Sequence, residues 1–398
     1  MEEKNIHTPK DERRTSSLEE VSKEPAGGFF SIYTKEKLML HNEFFGRLIH
    51  ELGLEKVDAD IIAVLHILPD SIPFTQALSK IADINTIVPK PKSINEKALE
   101  NLGALPIKHL TRENIRDVIG SVKKKTVFLD IGGYFSSVID ELQESVGENF
   151  CGIVEDTENG LQKYERRGID FPFISVARSP LKENEDIMVG AAIAYSAEAL
   201  LRQHSTLLSG LQVGVIGYGK IGRSVAHSIE QKRGKVSIYD QDNIRLTHAV
   251  SEGFNVSDRT RIISGSDIIC LATGNISLSG KDYVKLKNGC WLFSVTSSED
   301  ELDKKWLMKN YKGERISQYA TKYSRGNHYF YLLNEGNAIN FIYGTTVGDF
   351  ILLVHAELLI AAHSLMTNNI KKGTHEIDTE TRDKICQIWL SLFKMKGN

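Results

Sequence analysis

Short apolar runs alternate with helix-like spacing of apolar residues through the first half of this chain. The runs at 61–68, 86–88, 126–129 and 152–154 predict strands, and segments such as 135–146 between them predict helices. Strands and helices that alternate in this way form an open sheet with mostly parallel strands. The pattern therefore predicts an α/β first domain.

A second α/β unit is predicted where an apolar strand at 213–216 leads into a glycine-rich turn. The turn reads G-x-G-x-x-G at Gly217, Gly219 and Gly222, and a helix pattern follows it. Such a turn lets backbone amides and the helix N-terminus approach a pyrophosphate. Asp240 ends the next apolar run, where a carboxylate accepts both ribose hydroxyls and repels a 2′-phosphate. These features together predict a βαβ site for NAD rather than NADP.

The chain divides into four predicted parts. Residues 1–25 form a charge-rich tail that we expect to be disordered, and residues 26–190 form a substrate domain. A long helix at about 191–207 opens a Rossmann-like NAD-binding domain at 191–337. Residues 338–398 form a helical segment that packs on the substrate domain or at an oligomer interface. The fold class is thus α/β, with two open parallel-sheet domains and a C-terminal helix that returns to the first.

Composition narrows the class of protein further. The net charge of -3 over 398 residues gives no indication of nucleic-acid or membrane attraction. The 4 cysteines are widely separated, and no metal cluster is evident among the 12 histidines. The most apolar segment, at 350–365, is short for a membrane span and carries two polar residues, His355 and Glu357. We therefore expect a cytoplasmic protein without a metal site.

Polar side chains follow several of the predicted strands. His66, Asp130 and the pair Glu155 and Asp156 all fall where apolar runs of the first domain end. Open parallel sheets bind ligands at the carboxyl ends of their strands. This shared position predicts a cleft for a small molecule.

A set of motifs occurs along the chain in one order. It comprises 129–133, 152–157 with Gly160, Lys182 with Asp186, the glycine turn, 272–275, and 335–336 with Asn340. Together these motifs resemble the S-adenosylhomocysteine hydrolase family over roughly residues 60–365. The resemblance implies a homo-oligomer with a nucleoside-like substrate, in which NAD oxidises the ribose 3′-hydroxyl. The 5′-thioether is then eliminated, water adds, and the ketone is reduced again.

The resemblance also implies roles for particular side chains. Lys182 and Asp186 lie one helical turn apart, near a helix start that Ser179 would cap. The helix N-terminus would lower the pKa of Lys182 while Asp186 would raise it, so Lys182 is a candidate proton acceptor for a hydroxyl. The alternative is a surface ion pair. Asp156 matches a ribose-binding carboxylate. His66 matches a strand-end histidine, although a structural hydrogen-bonding role is the alternative.

The predicted cofactor-binding residues come from the glycine turn and the matching motifs. They are Thr157, Gly217, Gly219, Lys220, Ile221, Gly222, Asp240, Arg245, Asn275 and Asn340.

Several positions depart from the family pattern. Ile131 stands where the family has the aspartate that accepts the 4′ proton, and Leu68, Ile187 and Ala191 replace other polar or reactive residues. The preferred interpretation is an NAD-dependent enzyme that oxidises a secondary hydroxyl of a nucleoside or sugar-like substrate. One alternative is a non-catalytic NAD-binding regulatory or partner protein. Another is adenosylhomocysteine hydrolysis with an altered site, in which Asp130 serves as the base.

Overall fold

The computed structural model of the protein describes residues 34–102, 112–295, 301–343 and 347–394. The predicted disordered tail at 1–25 lies outside these residues. The strands are β1 (Asp60–Ile67), β2 (Asp83–Ile94), β3 (Thr126–Asp130), β4 (Phe150–Glu155), β5 (Pro172–Ser175), β6 (Gln212–Ile216), β7 (Lys235–Tyr239), β8 (Asn255–Val256), β9 (Ile268–Leu271), β10 (Cys290–Ser294), β11 (Lys312–Ser317), β12 (Ala320–Arg325), β13 (His328–Leu333) and β14 (Gly373–His375).

The helices alternate with these strands along most of the chain. They are α1 (Lys35–Glu51), α2 (Ser71–Ile81), α3 (Glu96–Asn101), α4 (Arg112–Ile119), α5 (Ile139–Val146), α6 (Glu158–Arg167), α7 (Lys182–Gln203), α8 (Lys220–Gln231), α9 (Asn243–Ser251), α10 (Arg259–Gly265), α11 (Gly280–Tyr283), α12 (Lys304–Asn310), α13 (Ile351–Thr367) and α14 (Thr379–Phe393). The segment predicted as one helix at 135–146 is a 3₁₀ turn, Phe135–Val138, followed by α5.

Two separate sheets carry the fold, as the alternating pattern predicts. The first has the strand order β14–β5–β4–β3–β1–β2, and all of its neighbouring strands are parallel. The second has the order β11–β12–β13–β10–β9–β6–β7–β8, with antiparallel pairing only within β11–β12–β13. The predicted α/β class with two parallel sheets is confirmed.

The first sheet is covered on both faces, which explains its continuous apolar runs. Successive residues of β1 point to opposite faces. Ile61 and Ala63 join a core with α1, α2, α13 and α14, whereas Ile62 and Val64 join a core with α5 and α6. The carboxyl ends of these strands are therefore the part of the sheet that is open to a ligand.

The connecting helix α7 differs from its prediction. It begins at Lys182, well before residue 191, and the Ser179 hydroxyl accepts from the backbone N–H of Leu181 just ahead of it. A Cβ atom built on Gly190 would lie 2.0 Å from Oγ of Ser224 on α8. The predicted domain boundary at 190–191 thus falls inside a continuous helix that is packed closely against the second domain.

The apolar helix α13 is a core element. The apolar helical stretch extends over Gly348–Thr367 and is longer than the segment predicted at 350–365. By length and composition alone, it could cross a membrane. It packs on β3 and β4 and against α2 and α14, with Leu352, Ala356 and Leu359 fully or almost fully buried. After it, β14 adds a strand beside β5, which the sequence did not predict.

Candidate active site between the two sheets

A cavity of about 730 Å³ lies where the two sheets face each other, a volume typical of small-molecule sites. Most of the predicted site residues line it. They are His66, Asp156, Thr157, Lys182, Asp186, Gly219, Lys220, Ile221, Arg245, Asn275 and Asn340. Asp130, Gly217, Gly222 and Asp240 do not form part of its wall.

The glycine turn has the geometry that a pyrophosphate requires. Gly217 has φ +101°, and a Cβ atom there would lie 2.5 Å from the carbonyl oxygen of Ala272. A Cβ atom on Gly222 would lie 2.0 Å from the carbonyl oxygen of Gly217. On Gly219 it would meet only Nη1 of Arg245, at 3.7 Å. The first and third glycines therefore permit close packing, while the second leaves the N-terminus of α8 open to the cavity.

Asp240 directly follows β7 and lies beside this turn. Its Oδ2 accepts from the backbone N–H of Tyr218 at 2.6 Å, and its Oδ1 accepts from that of Asp242 at 2.8 Å. Nη1 of Arg245 lies 3.6 Å from the same Oδ2. The carboxylate is thus fixed beside the turn although it lies behind the cavity wall. The residues present fit a dinucleotide whose ribose hydroxyls face Asp240.

Lys182 has different partners from those that the sequence suggested. Its Nζ lies 2.7 Å from Oδ1 of Asp156 and 2.8 Å from Oε2 of Glu185, not against Asp186. Burial by itself lowers the pKa of Lys182, but the two carboxylates outweigh it and raise the pKa above its usual value. The prediction of a lysine poised to take up a proton was therefore wrong. In the described structure Lys182 is a buried ammonium group.

Asp186 has the properties of a proton acceptor instead. Burial, with a contribution from Glu185, raises the pKa of Asp186 to about 6. Among the described residues its Oδ2 has no hydrogen-bond donor, and Nζ of Lys220 lies 3.9 Å away. A carboxylate with a pKa close to neutral, facing a cavity, suits general base catalysis.

His66 is placed as an uncharged polar group in the cavity wall. Its Nδ1 lies 2.5 Å from Oγ of Ser93, and its ring contacts that of Phe341 at 5.7 Å between centroids. Burial lowers the pKa of His66 well below its usual value, and the charges of Lys90 and Lys182 act in the same direction. The ring is therefore neutral and can offer hydrogen bonds, but no charge.

The proposed replacement base, Asp130, is not available to a ligand. It is fully buried outside the cavity wall, and its Oδ2 accepts from the hydroxyl of Tyr164 at 2.6 Å and from the backbone N–H of Phe135 at 3.0 Å. Its side chain is thus bound to Tyr164 of α6 and does not line the cleft. The hypothesis that Asp130 replaces the missing aspartate is therefore wrong.

Glu155, which the sequence places beside Asp156 at a strand end, has a structural role. Its carboxylate accepts from the backbone N–H groups of Gly132 and Gly133, both at 2.9 Å. It also accepts from the backbone N–H and hydroxyl of Thr157, both at 2.7 Å. The Thr157 hydroxyl in turn accepts from the N–H of Gly160 and caps α6. Thr157 therefore shapes the cavity rim through its hydroxyl.

The positions Ile131, Leu68, Ile187 and Ala191 differ in whether they reach the cavity. Ile131 and Leu68 line it, whereas Ile187 is 55% exposed and Ala191 also faces solvent from α7. The replacements at Ile187 and Ala191 therefore do not make the cavity wall more apolar. The two side chains point to solvent because of their positions around the axis of α7.

Several further titratable residues line the cavity without having been identified from the sequence, among them Asp70, Lys90 and His355. Burial raises the pKa of Asp70 to about 6, and it lowers the pKa of His355 to about 3 and that of Lys90. The His355 ring stacks on Phe74 at 4.2 Å. Asp70 and Lys90 follow apolar strand runs, and this position could have identified them as candidate site residues. His355 lies within an apolar helix, where no local pattern marks it.

The two sheets and the glycine turn define an α/β protein with a dinucleotide-binding domain. Residues 194–347 match the family described as S-adenosyl-L-homocysteine hydrolase, NAD binding domain. The second domain of this chain is thus similar to the NAD-binding domain of that family, and its cofactor is NAD.

Named relatives agree with this assignment. The chain is 25% identical over 301 residues to the adenosylhomocysteinase of Aeropyrum pernix, with 71% of each chain covered. It is 27% identical over 234 residues to the S-inosyl-L-homocysteine hydrolase of Methanocaldococcus jannaschii, covering 57% of this chain and 56% of that protein. Among solved structures, a dipicolinate synthase chain from Bacillus halodurans aligns with a TM-score of 0.40 and 11% identity, over 79% of this chain and 99% of that one. That similarity supports no inference about function.

Proposed function

We propose that the protein is an NAD-dependent enzyme that oxidises a secondary hydroxyl group of a nucleoside- or sugar-like ligand. The observation that carries this proposal is the placement of Lys182, Asp156 and Asp186 in the same cavity as the open side of the glycine turn. A ligand hydroxyl in this cavity would face both a proton acceptor and the cofactor. The nucleoside class is supported by the names of the relatives, whose substrates carry an adenosyl or inosyl group.

The side chains divide the work according to their charge. NAD, when bound, supplies a hydride acceptor. Lys182, held as an ammonium by Asp156 and Glu185, donates a hydrogen bond to the ligand oxygen and stabilises negative charge there. Asp186, with a pKa of about 6, takes the proton of the hydroxyl at neutral pH. Asp156 orients the ligand through the oxygen that Lys182 leaves free.

The rest of the family's cycle has weaker support in this chain. Ile131 offers no proton acceptor, and Asp130 is turned away from the cavity. We therefore propose the oxidation step as the activity and do not extend it to thioether cleavage. We also propose that the protein is a cytoplasmic homo-oligomer, in keeping with the expectation from its sequence.

Nicotinamide absorbance tests the proposal directly. Purified protein with NAD is mixed in turn with adenosine, inosine, other nucleosides and simple sugars. Growth of the reduced-nicotinamide band with at least one of them is the expected result. If none of them reduces NAD, while NAD itself binds, the non-catalytic NAD-binding interpretation replaces this one.

A further inference from the structure

Lys90 is a buried lysine of β2 that lines the cavity beside the position of the missing aspartate. Only 6% of the residue is exposed. A Cβ atom built on Gly132 would lie 3.8 Å from Nζ of Lys90, and Gly132 directly follows Ile131 in the chain. The amine therefore stands close to the stretch of cavity wall where Ile131 presents a hydrocarbon side chain.

Lys90 and Lys182, two buried lysines that line the cavity, lie in different electrostatic environments. Lys182 has two carboxylate oxygens within 2.8 Å, which keep it protonated. Burial lowers the pKa of Lys90, and Lys182 lowers it further, while the carboxylates of Asp156, Glu155 and Asp130 limit the decrease. Paired groups whose environments separate their pKa values are a recurrent arrangement for acid–base chemistry. Of these two lysines, Lys90 is thus the one that can lose its proton more easily.

We propose that Lys90 is a second acid–base group of this site, which removes and returns a proton on the carbon next to the oxidised alcohol. This inference rests on the proposed function, because that carbon becomes acidic only when its neighbour is a ketone. It assigns to Lys90 the chemistry that neither Ile131 nor Asp130 can perform.

The step is balanced without any further reactant. Oxidation transfers a hydride from the alcohol carbon to the cofactor and the hydroxyl proton to Asp186. Nζ of Lys90, in its unprotonated form, then takes the proton of the adjacent carbon, and the electron pair moves onto the ketone oxygen beside the Lys182 ammonium. Return of a proton from Lys90 restores the ketone, and reversal of the hydride transfer restores the alcohol. In D₂O, Lys90 would return a deuteron instead.

Deuterium uptake measures this step separately from NAD reduction. Wild type with NAD is incubated in D₂O with adenosine or inosine, whichever reduces NAD. Mass spectrometry of the recovered nucleoside gives the extent of deuteration, and proton NMR locates it. The rate of deuteration is divided by the rate of NAD reduction for wild type, Lys90→Met, Lys90→Arg and Lys163→Met. Lys163 is the matched control, because its Nζ donates to the carbonyl oxygen of Gly132 from outside the cavity.

Deuterium next to the alcohol carbon is expected in wild type and in Lys163→Met. The ratio should fall about 10²-fold or more in Lys90→Met, the usual effect of losing a positioned acid–base group. It should also fall in Lys90→Arg, because a guanidinium keeps the charge but does not deprotonate. Retained deuteration in Lys90→Met or Lys90→Arg, or NAD reduction without deuteration in wild type, overturns the inference and leaves the proposed function standing. Absence of NAD reduction with every nucleoside overturns both.

Discussion

Nζ of Lys182, at the start of α7, lies 2.7 Å from Oδ1 of Asp156, just after the end of β4. This contact joins the connecting helix to the edge of the first sheet. Glu185, on the next turn of α7, provides the second carboxylate that binds Lys182. This arrangement leaves Asp186 without Lys182 as a direct partner. The charge that stabilises a ligand oxygen and the group that accepts a proton are therefore on two different residues.

Replacing Lys182 with methionine should almost abolish ligand-dependent NAD reduction. The rate should fall by about 10²–10⁴-fold. NAD affinity should change little, because the glycine turn lies on the other domain. The variant should also lose about 3–5 kcal/mol in the free energy of unfolding, since Asp156 and Glu185 would remain buried without their counter-charge. Absorbance assays, NAD titration and thermal unfolding with NAD present measure the three effects.

Lys232→Met is the control for this prediction. Its Nζ pairs with Oε2 of Glu198 at 2.8 Å on the surface of the second domain. A surface ion pair contributes about 0–1 kcal/mol, and its loss should leave NAD reduction unchanged. If Lys182→Met behaves in the same way, the surface-pair interpretation of Lys182 is the correct one.

The rate of NAD reduction should increase as pH rises through about 6, because Asp186 must be ionised to accept a proton. Asp186→Asn should lose most of the rate together with this step in the pH profile. Asp70→Asn is the matched control, since burial also raises the pKa of Asp70 to about 6. A profile whose step persists in Asp186→Asn and disappears in Asp70→Asn would assign the base to Asp70.

The raised pKa of Asp186 also affects stability. The folded protein binds this proton more tightly than the unfolded chain, whose Asp has an ordinary pKa near 3.8. The stabilisation is therefore complete below the ordinary pKa and is lost as pH rises through about 6. Chemical unfolding at a series of pH values should show this loss in wild type and a smaller one in Asp186→Asn.

NAD should bind more tightly than NADP, because a 2′-phosphate would meet the Asp240 carboxylate. Asp240→Asn should narrow the difference, since Arg245, 3.6 Å from Oδ2, would then face the phosphate without an opposing charge. Asp242→Asn is the control, because it preserves the cap of α9 and leaves Asp240 in place. Equal affinities in the wild type would contradict the assignment.

Two glycine substitutions should separate cofactor binding from folding. Gly219→Ala should leave thermal stability nearly unchanged, because a Cβ atom there meets only the flexible end of Arg245, yet it should weaken NAD binding by filling the pyrophosphate cradle. Gly222→Ala should lower stability, because its Cβ would press on the carbonyl oxygen of Gly217 at 2.0 Å. Calorimetry and thermal unfolding distinguish the two. Equal destabilisation by both substitutions would contradict the assignment of Gly219 to pyrophosphate binding and of Gly222 to packing.

The sequence by itself determined the sheets and the cofactor turn. Apolar runs such as that of β1 and the glycine pattern at 217–222 each specify a structure through residues that are adjacent in the chain. Their information is local, because strand burial and the backbone freedom of glycine depend little on distant partners. The same local reasoning placed His66 and Asp156 at strand ends, and both line the cavity.

Tertiary structure alone decided which side chains meet. Asp130 ends a strand as Asp156 follows one, but its carboxylate binds Tyr164 and does not line the cleft. Lys182 has Asp186 one turn away on its own helix and binds Asp156 from another element. Nζ of Lys90 lies close to Gly132, which is distant in sequence. Contacts and pKa values depend on packing between elements, because the direction of a side chain and its solvation are set by neighbours that no local pattern contains.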